Sequence, residues 1–327
     1  MRLRLFSLFA ASLLLCQAAP ALAEGYDPAS YPPIVTQRDV VTQPLPRPSE
    51  TAYSPQNTRA YAQPMIQQTK APDSISLGTQ SSFDVGLQFS GYDYKEPKVT
   101  DYSTGQTLDV DIHGLKYGID GRGTFALDNW FVQIEGRFAG GDDDYKGSGK
   151  LGGVADDLSE ARLLGGHDFY ASAFGLSPYT GIAFRDLFND GRGTTSTDYQ
   201  GYRRESEYLY LPLGMTTRTR LNDDSRVALN LEYDQVVWGR QYSHLGDVAP
   251  ELPTLTNDQK FGYGFRGDIM YEARKWGIGP FFDYWNIDQS KEACGSNIYG
   301  QYIYTECGVE PHNRTIEYGL QFRYRLF

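Results

Sequence analysis

The chain closes on Ile316-Glu317-Tyr318-Gly319-Leu320-Gln321-Phe322-Arg323-Tyr324-Arg325-Leu326-Phe327. Ile316, Tyr318, Leu320, Phe322, Tyr324 and Leu326 fall on one face of a two-residue repeat. Glu317, Gln321, Arg323 and Arg325 fall on the other. Side chains that alternate this way belong to an extended strand with one apolar and one polar face.

The same alternation recurs upstream, at residues 83–90, 108–125, 130–138, 158–174, 180–185, 205–220, 227–237, 263–272 and 278–284. With the terminal stretch this makes about ten strands. Parity shifts between Val110/Ile112 and Leu115/Tyr117/Ile119, which predicts a bulge near Gly114. Pro212 interrupts the sixth strand by removing a ladder donor and predicts a second irregularity. Tight turns are expected near Asp128, at 175–178, near Asp223 and near Arg274. Longer connections, roughly ten to over twenty residues, are expected around Thr100, Gly147, Thr195, Val248 and Tyr302. Short and long connections that alternate, with an even strand count, describe a closed antiparallel transmembrane β-barrel over residues 80–327 with both chain ends on one side. A β-sandwich shares the alternation but not the short-long rhythm or the aromatic terminus.

Composition agrees with export and membrane insertion. The chain has 25 Tyr, 17 Phe and 35 Gly but only 3 Cys and 4 Met. Its mean hydropathy of -0.49 is that of a polar protein, because strands that alternate between lipid and lumen hide their membrane contact in the average. Arg2 and Arg4, the apolar run from Leu5 to Leu15, and Ala21-Leu22-Ala23 read as a signal peptide over residues 1–23, so the mature chain is expected to begin at Glu24 and Cys16 to be discarded. Residues 24–79 are Pro-rich without apolar periodicity and are expected to be a disordered or polyproline-like periplasmic segment. Cys294 and Cys307 remain, and in an exported chain they are expected to form a disulfide. A net charge of -11 argues against nucleic acid as a partner.

The signal peptide, the alternating strands and the terminal aromatic together resemble bacterial outer-membrane β-barrel proteins. The resemblance covers residues 82–327. It implies an outer-membrane location with periplasmic termini, a surround of lipid and lipopolysaccharide, and Phe327 as the signal read by the barrel-assembly machinery. Phe327 is out of phase with Tyr324 and Leu326, where that class keeps its terminal aromatic in phase. Strand number and size are similar to the omptin proteases, but the motifs of that family are missing. His167-Asp168 falls inside the fourth strand, and His244 stands near Asp247 in a loop. No catalytic residue is carried over.

The polar faces bear mixed charges, among them Glu135, Arg137, Glu160, Arg162, Glu232, Arg266, Asp268, Glu317 and Arg323. In a lumen as narrow as ten strands allow, such charges are expected to pair across strands. Gly141-Asp142-Asp143-Asp144 offers carboxylates to a cation, but its spacing matches no calcium loop and it reads as a solvated acidic loop. No cofactor or metal is expected. Trp130, Tyr233, Trp238, Tyr263, Tyr284 and Tyr318 are expected in interfacial girdles. Three functional readings follow. The leading one is a non-enzymatic surface barrel that meets a ligand or partner through its loops. The others are a small ion or solute channel and a rim hydrolase built on carboxylates and His244.

Overall fold

A computed structural model describes residues 74–100, 105, 107–170 and 174–327; the expected signal peptide and most of the Pro-rich segment lie outside the described residues. Fourteen strands follow one another: β1 (Ser82–Thr100), β2 (Thr107–Leu127), β3 (Trp130–Lys146), β4 (Lys150–His167), β5 (Phe169–Tyr170), β6 (Phe174–Thr194), β7 (Gln200–Asn222), β8 (Ser225–His244), β9 (Thr254–Asp258), β10 (Gly262–Ala273), β11 (Trp276–Ile287), β12 (Ala293–Tyr299), β13 (Tyr302–Gly308) and β14 (Asn313–Arg325). Ten of them close a ring in the order β1-β2-β3-β4-β6-β7-β8-β10-β11-β14, and β14 returns antiparallel to β1. Closure removes the open edges that hydrocarbon would leave unpaired. The fold is the closed ten-stranded antiparallel barrel that the alternation predicted.

Outward residues form a continuous apolar belt. Leu87, Tyr117, Ile134, Leu213, Ile269 and Leu320 are each about half exposed or more, with no protein beyond them. Between Ile316 and Leu326 the strand covers about 34 Å at ~3.4 Å per residue. At a tilt of ~40° that is about 26 Å of height, close to the ~25 Å apolar band of a transmembrane barrel. Aromatics gather at its margins: Tyr233, Tyr263 and Tyr284 in contact at one edge, Tyr271, Trp276 and Phe322 at the other.

Several strands run well past this belt at the long-loop end, and there the faces exchange character. Val110 and Ile112 point inward and are buried, whereas Leu115, Tyr117 and Ile119 point outward to lipid. The register of β1 with β2 is unbroken across this point, so the shift in parity is a change of environment on a regular strand and no bulge exists at Gly114. Beyond the membrane the outer face meets water and the inner face is the drier one. For the same reason the connections near Gly147 and Thr195 are tight ends of extended hairpins, shorter than expected. Irregularities lie elsewhere, between Asp143 and Tyr145 and between Leu209 and Tyr210. Pro212 keeps its register with Asp234 on β8, but the ladder to β6 lapses beside it, and Thr180 Oγ1 donates to its carbonyl at 2.8 Å.

The short-turn end also departs from expectation. Residues 175–178 lie inside β6, which begins at Phe174, so no turn forms there. Gly175 is needed there for close approach: a Cβ would stand 2.4 Å from the Leu77 carbonyl oxygen. Pro178 sits just past the last β4–β6 pair, Gly166 with Tyr179, so its missing N–H faces no β4 ladder. Cys294 and Cys307 stand directly opposite in the β12–β13 hairpin and are joined as a disulfide. Phe327 reaches the lipid side after β14 ends. The Phe83 N–H donates to the Phe327 carbonyl at 3.2 Å, and the two rings stack at 6.1 Å.

Ile134 lies within the outward apolar run of β3, between Trp130 and Phe138. Ile134→Arg is expected to cost about 2–4 kcal/mol of folding free energy in a bilayer, read by equilibrium denaturation. The same change at Asp144, above the belt, is expected to leave stability unchanged.

Candidate functional site

The inner faces stack four features from the short-turn end to the long-loop end: a strap, a charged layer, an aromatic layer and a vestibule.

Residues 74–81 form the strap. Ile75 and Leu77 are buried. The Ile75 N–H donates to the Asp223 carbonyl at 2.7 Å, and Arg220 and Arg226 donate to the carbonyls of Ile75 and Ser76. Thr79 donates to Asp168 through its N–H at 2.7 Å and its hydroxyl at 2.9 Å. Asp168 also accepts from Ser177 and Tyr170. It therefore anchors the strap just past β4, while the His167 ring packs between Trp130 and Phe169 at 4.6 Å from each. The two neighbours make no Asp-His pair.

Above the strap lies the charged layer, with a cavity of about 120 Å³ among its side chains. Arg266 is its hub. It donates to Glu160 at 2.7 and 2.9 Å and to Asp234 at 2.8 Å, and stands 3.2 Å from Glu232. Arg162 joins Glu135 at 2.9 Å to Glu232. Arg137 joins Asp283 at 3.0 Å to Glu317. Arg122 pairs with Glu135 at 2.7 Å and Arg323 with Asp120 at 3.1 Å. Eight of the nine charges expected in a lumen network thus meet a partner. Asp268 lines the cavity and makes no ion pair within 4.0 Å among the described residues.

The aromatic layer was not foreseen. Tyr210 and Trp285 meet edge-on at 5.0 Å, packed with Tyr208, Val236 and Ile287. The Arg185 guanidinium lies over the Trp285 ring at 4.8 Å, and the Tyr210 hydroxyl donates to Glu160 at 2.6 Å, tying this layer to the charges beneath. Parity carried a signal: both aromatics fall in phase with the polar face of their strands. At this height each of the ten barrel strands contributes a buried inward residue: Ser90, Lys116, Ala139, Leu158, Arg185, Tyr210, Asp234, Arg266, Trp285 and Glu317.

The vestibule is a cavity of about 460 Å³ at the long-loop end. Val110, Ile112, Val154 and Leu255 line its wall, and Glu96, Arg204 and Glu310 also line it. Asn257 closes one side, donating to Ser290, Lys291 and Gly308.

The other candidates do not converge. Asp143 points inward to Lys116 at 3.6 Å, while Asp142 and Asp144 alternate away from it, so these carboxylates share no site. Nor does any group of three or more His, Cys, Asp or Glu suit a metal ion among the described residues. His244 Nε2 is 3.9 Å from Glu205. Asp247 is turned away into a paired contact with Arg203 at 2.7 and 2.8 Å, which holds its carboxyl down at about 2. His113 is exposed, and His312 contacts Asn286 at 2.9 Å.

No family model and no curated protein sequence matches the chain. Among solved structures it is similar to the outer membrane protease OmpT from Escherichia coli, at 10% identity over 77% of this chain and 100% of that one, with a TM-score of 0.48. It is similar to the outer membrane protein OprG from Pseudomonas aeruginosa, at 11% identity over 76% and 97%, TM-score 0.34. It is also similar to the outer membrane protein AlkL in lipid bilayers, at 15% identity over 78% and 95%, TM-score 0.34.

Arg266→Ala leaves the buried Glu160, Glu232 and Asp234 without their shared cation. It is expected to cost about 3–5 kcal/mol, read by denaturation of the refolded barrel. Removing the exposed Arg240–Asp258 pair is expected to produce no measurable change.

Proposed function

We propose that the chain is a non-enzymatic barrel of the bacterial outer membrane, sealed at mid-lumen, that meets its ligand at the long-loop end. One observation carries the seal. Buried inward side chains come from all ten strands at one height, and Lys116, Tyr210, Asp234 and Glu317 have no accessible surface. Side chains without accessible surface do not line a water-filled path. The hydrolase reading loses support because His244 and Asp247 are engaged with different partners.

The belt and the connections support an outer-membrane location and an orientation. Short turns of such barrels face the periplasm, which directs both termini and the strap inward and the vestibule outward. Phe327, held against Phe83 at the belt's inner margin, suits recognition by the barrel-assembly machinery. Lipopolysaccharide is the expected neighbour where Lys95 and Arg314 stand opposite each other across β1 and β14.

In a planar bilayer the refolded chain is expected to show no steady single-channel conductance. Removing residues 24–79 is expected to leave it silent, because the seal lies above the strap. Tyr210→Ala with Trp285→Ala is expected to open a current. Steady conductance of the unaltered chain overturns the reading. Deleting Phe327 is expected to lower assembly in cells several-fold while refolding in detergent proceeds normally.

A further inference from the structure

The vestibule has the size of a small-molecule site, about 460 Å³ against the ~300–1,000 Å³ of ligand pockets. Its wall is largely apolar, and three tyrosines, Tyr145, Tyr199 and Tyr202, contribute to the lining. The two buried carboxyl groups on the lining are unequally partnered. Glu96 is 1% exposed and is matched: Arg204 Nη1 donates to its Oε1 at 2.5 Å and the Tyr94 hydroxyl donates to the same oxygen at 2.8 Å. Glu310 is 3% exposed, and its Oε1 has no hydrogen-bond partner among the described residues. Its backbone is pinned, since the Glu310 N–H donates to Ser290 Oγ at 2.8 Å and its carbonyl accepts the Ser290 N–H at 2.9 Å. Beside an apolar hollow, one carboxylate thus holds the Arg204 guanidinium and the other has no ion pair within 4.0 Å among the described residues.

We propose that the vestibule binds a small apolar amine, its ammonium on Glu310 and its hydrocarbon body against Val110, Ile112, Val154 and Leu255. This deepens the reading of a barrel that binds at its long-loop end, and rests on it. An ammonium supplies both a donor to the Glu310 carboxylate and the positive charge that carboxylate needs once its proton leaves. Tyrosine faces favour the same cation. A carboxylate ligand would bring a negative charge beside the buried Glu96 and Glu310, and an alcohol would bring no cation to take the place of the Glu310 proton.

Burial pushes the Glu310 carboxyl up, against the pull of Arg204 and with the help of Glu96, to about 8. At pH 7 the empty site therefore holds a proton that an arriving ammonium displaces to solvent: the neutral acid and the ammonium give an ion pair and one released proton. The other groups facing Glu310 are Glu96 and Tyr94 of β1 and Arg204 and Tyr208 of β7. Arg204 keeps its charge, and tyrosine hydroxyls ordinarily ionise only near ~10, so Glu310 is the group that titrates between pH 6 and 8. Affinity for the amine should rise about tenfold per pH unit below 8 and level off above it.

Isothermal titration of the full chain in lipid nanodiscs, with empty nanodiscs as reference, tests this with hexylammonium, hexanol and hexanoate. Hexylammonium is expected to bind at least about tenfold more tightly than hexanol, a ~1.4 kcal/mol preference. Hexanoate is expected to bind most weakly. Paired buffers of different ionisation enthalpy should report nearly one proton released per amine at pH 7. Glu310→Gln should erase the preference for amine over alcohol, and Val154→Trp should abolish binding of both by filling the hollow. Equal binding of amine and alcohol, binding without proton release, or a preference that survives Glu310→Gln overturns the proposal. If Glu310→Gln does not fold, the unaltered chain and Val154→Trp still decide. Conductance separates the two readings. A conducting barrel that prefers the amine removes the seal and keeps the site. A silent barrel without the preference removes the site and keeps the seal.

Discussion

Arg266 holds the lumen together because it answers three carboxylates at once. Glu160 comes from β4, Glu232 and Asp234 from β8, and Arg266 itself from β10, so one guanidinium draws distant parts of the ring toward a single point. A charge taken out of water is tolerated only when paired. In this lumen the pairs extend from neighbour to neighbour. Arg162 shares Glu232 with Arg266, and Glu135 passes the chain of pairs on to Arg122. Tyr210 and Trp285 rest on this layer, with the Arg266 guanidinium 5.5 Å from each ring, so the aromatic seal depends on the charges beneath it.

Most of the barrel was legible in the sequence where lipid imposes a strict rule. Inside the belt every outward position must be apolar, and a two-residue period exposes that demand directly. The turn at Asp128 and the strand at 316–325 were readable for this reason. Outside the belt the rule lapses. Val110 and Ile112 keep the alternation but serve the opposite face, and a reading that assumes one apolar side for the whole strand must invent a bulge. Glycine misled in a related way. Gly175 stands in a strand because the Leu77 carbonyl approaches it, and no local signal reveals a partner almost a hundred residues away.

The site divides along the same line. Charges in polar-face parity were readable as a network, and their partners follow from cross-strand neighbourhood. The strap was not, because Ile75 and Leu77 are isolated apolar residues in a polar stretch, and only the mouth of the finished barrel gives them somewhere to go. Glu310 lay in a loop between recognisable strands, and its isolation emerges only when β1 and β7 bring Glu96 and Arg204 to it.

Pairing of β14 with β1 has a kinetic meaning. The chain emerges from its first residue onward, yet β1 finds a partner on one side only when the last strand has arrived. Until then β1 presents an open edge, ready to pair with the wrong chain. Arg137 of β3 waits as well, for Glu317 arrives on that same final strand. Half-made barrels are therefore short of a seam and of a counter-charge together. Contacts this distant in sequence form late and slowly, so the chain must be held unaggregated until its own end completes it.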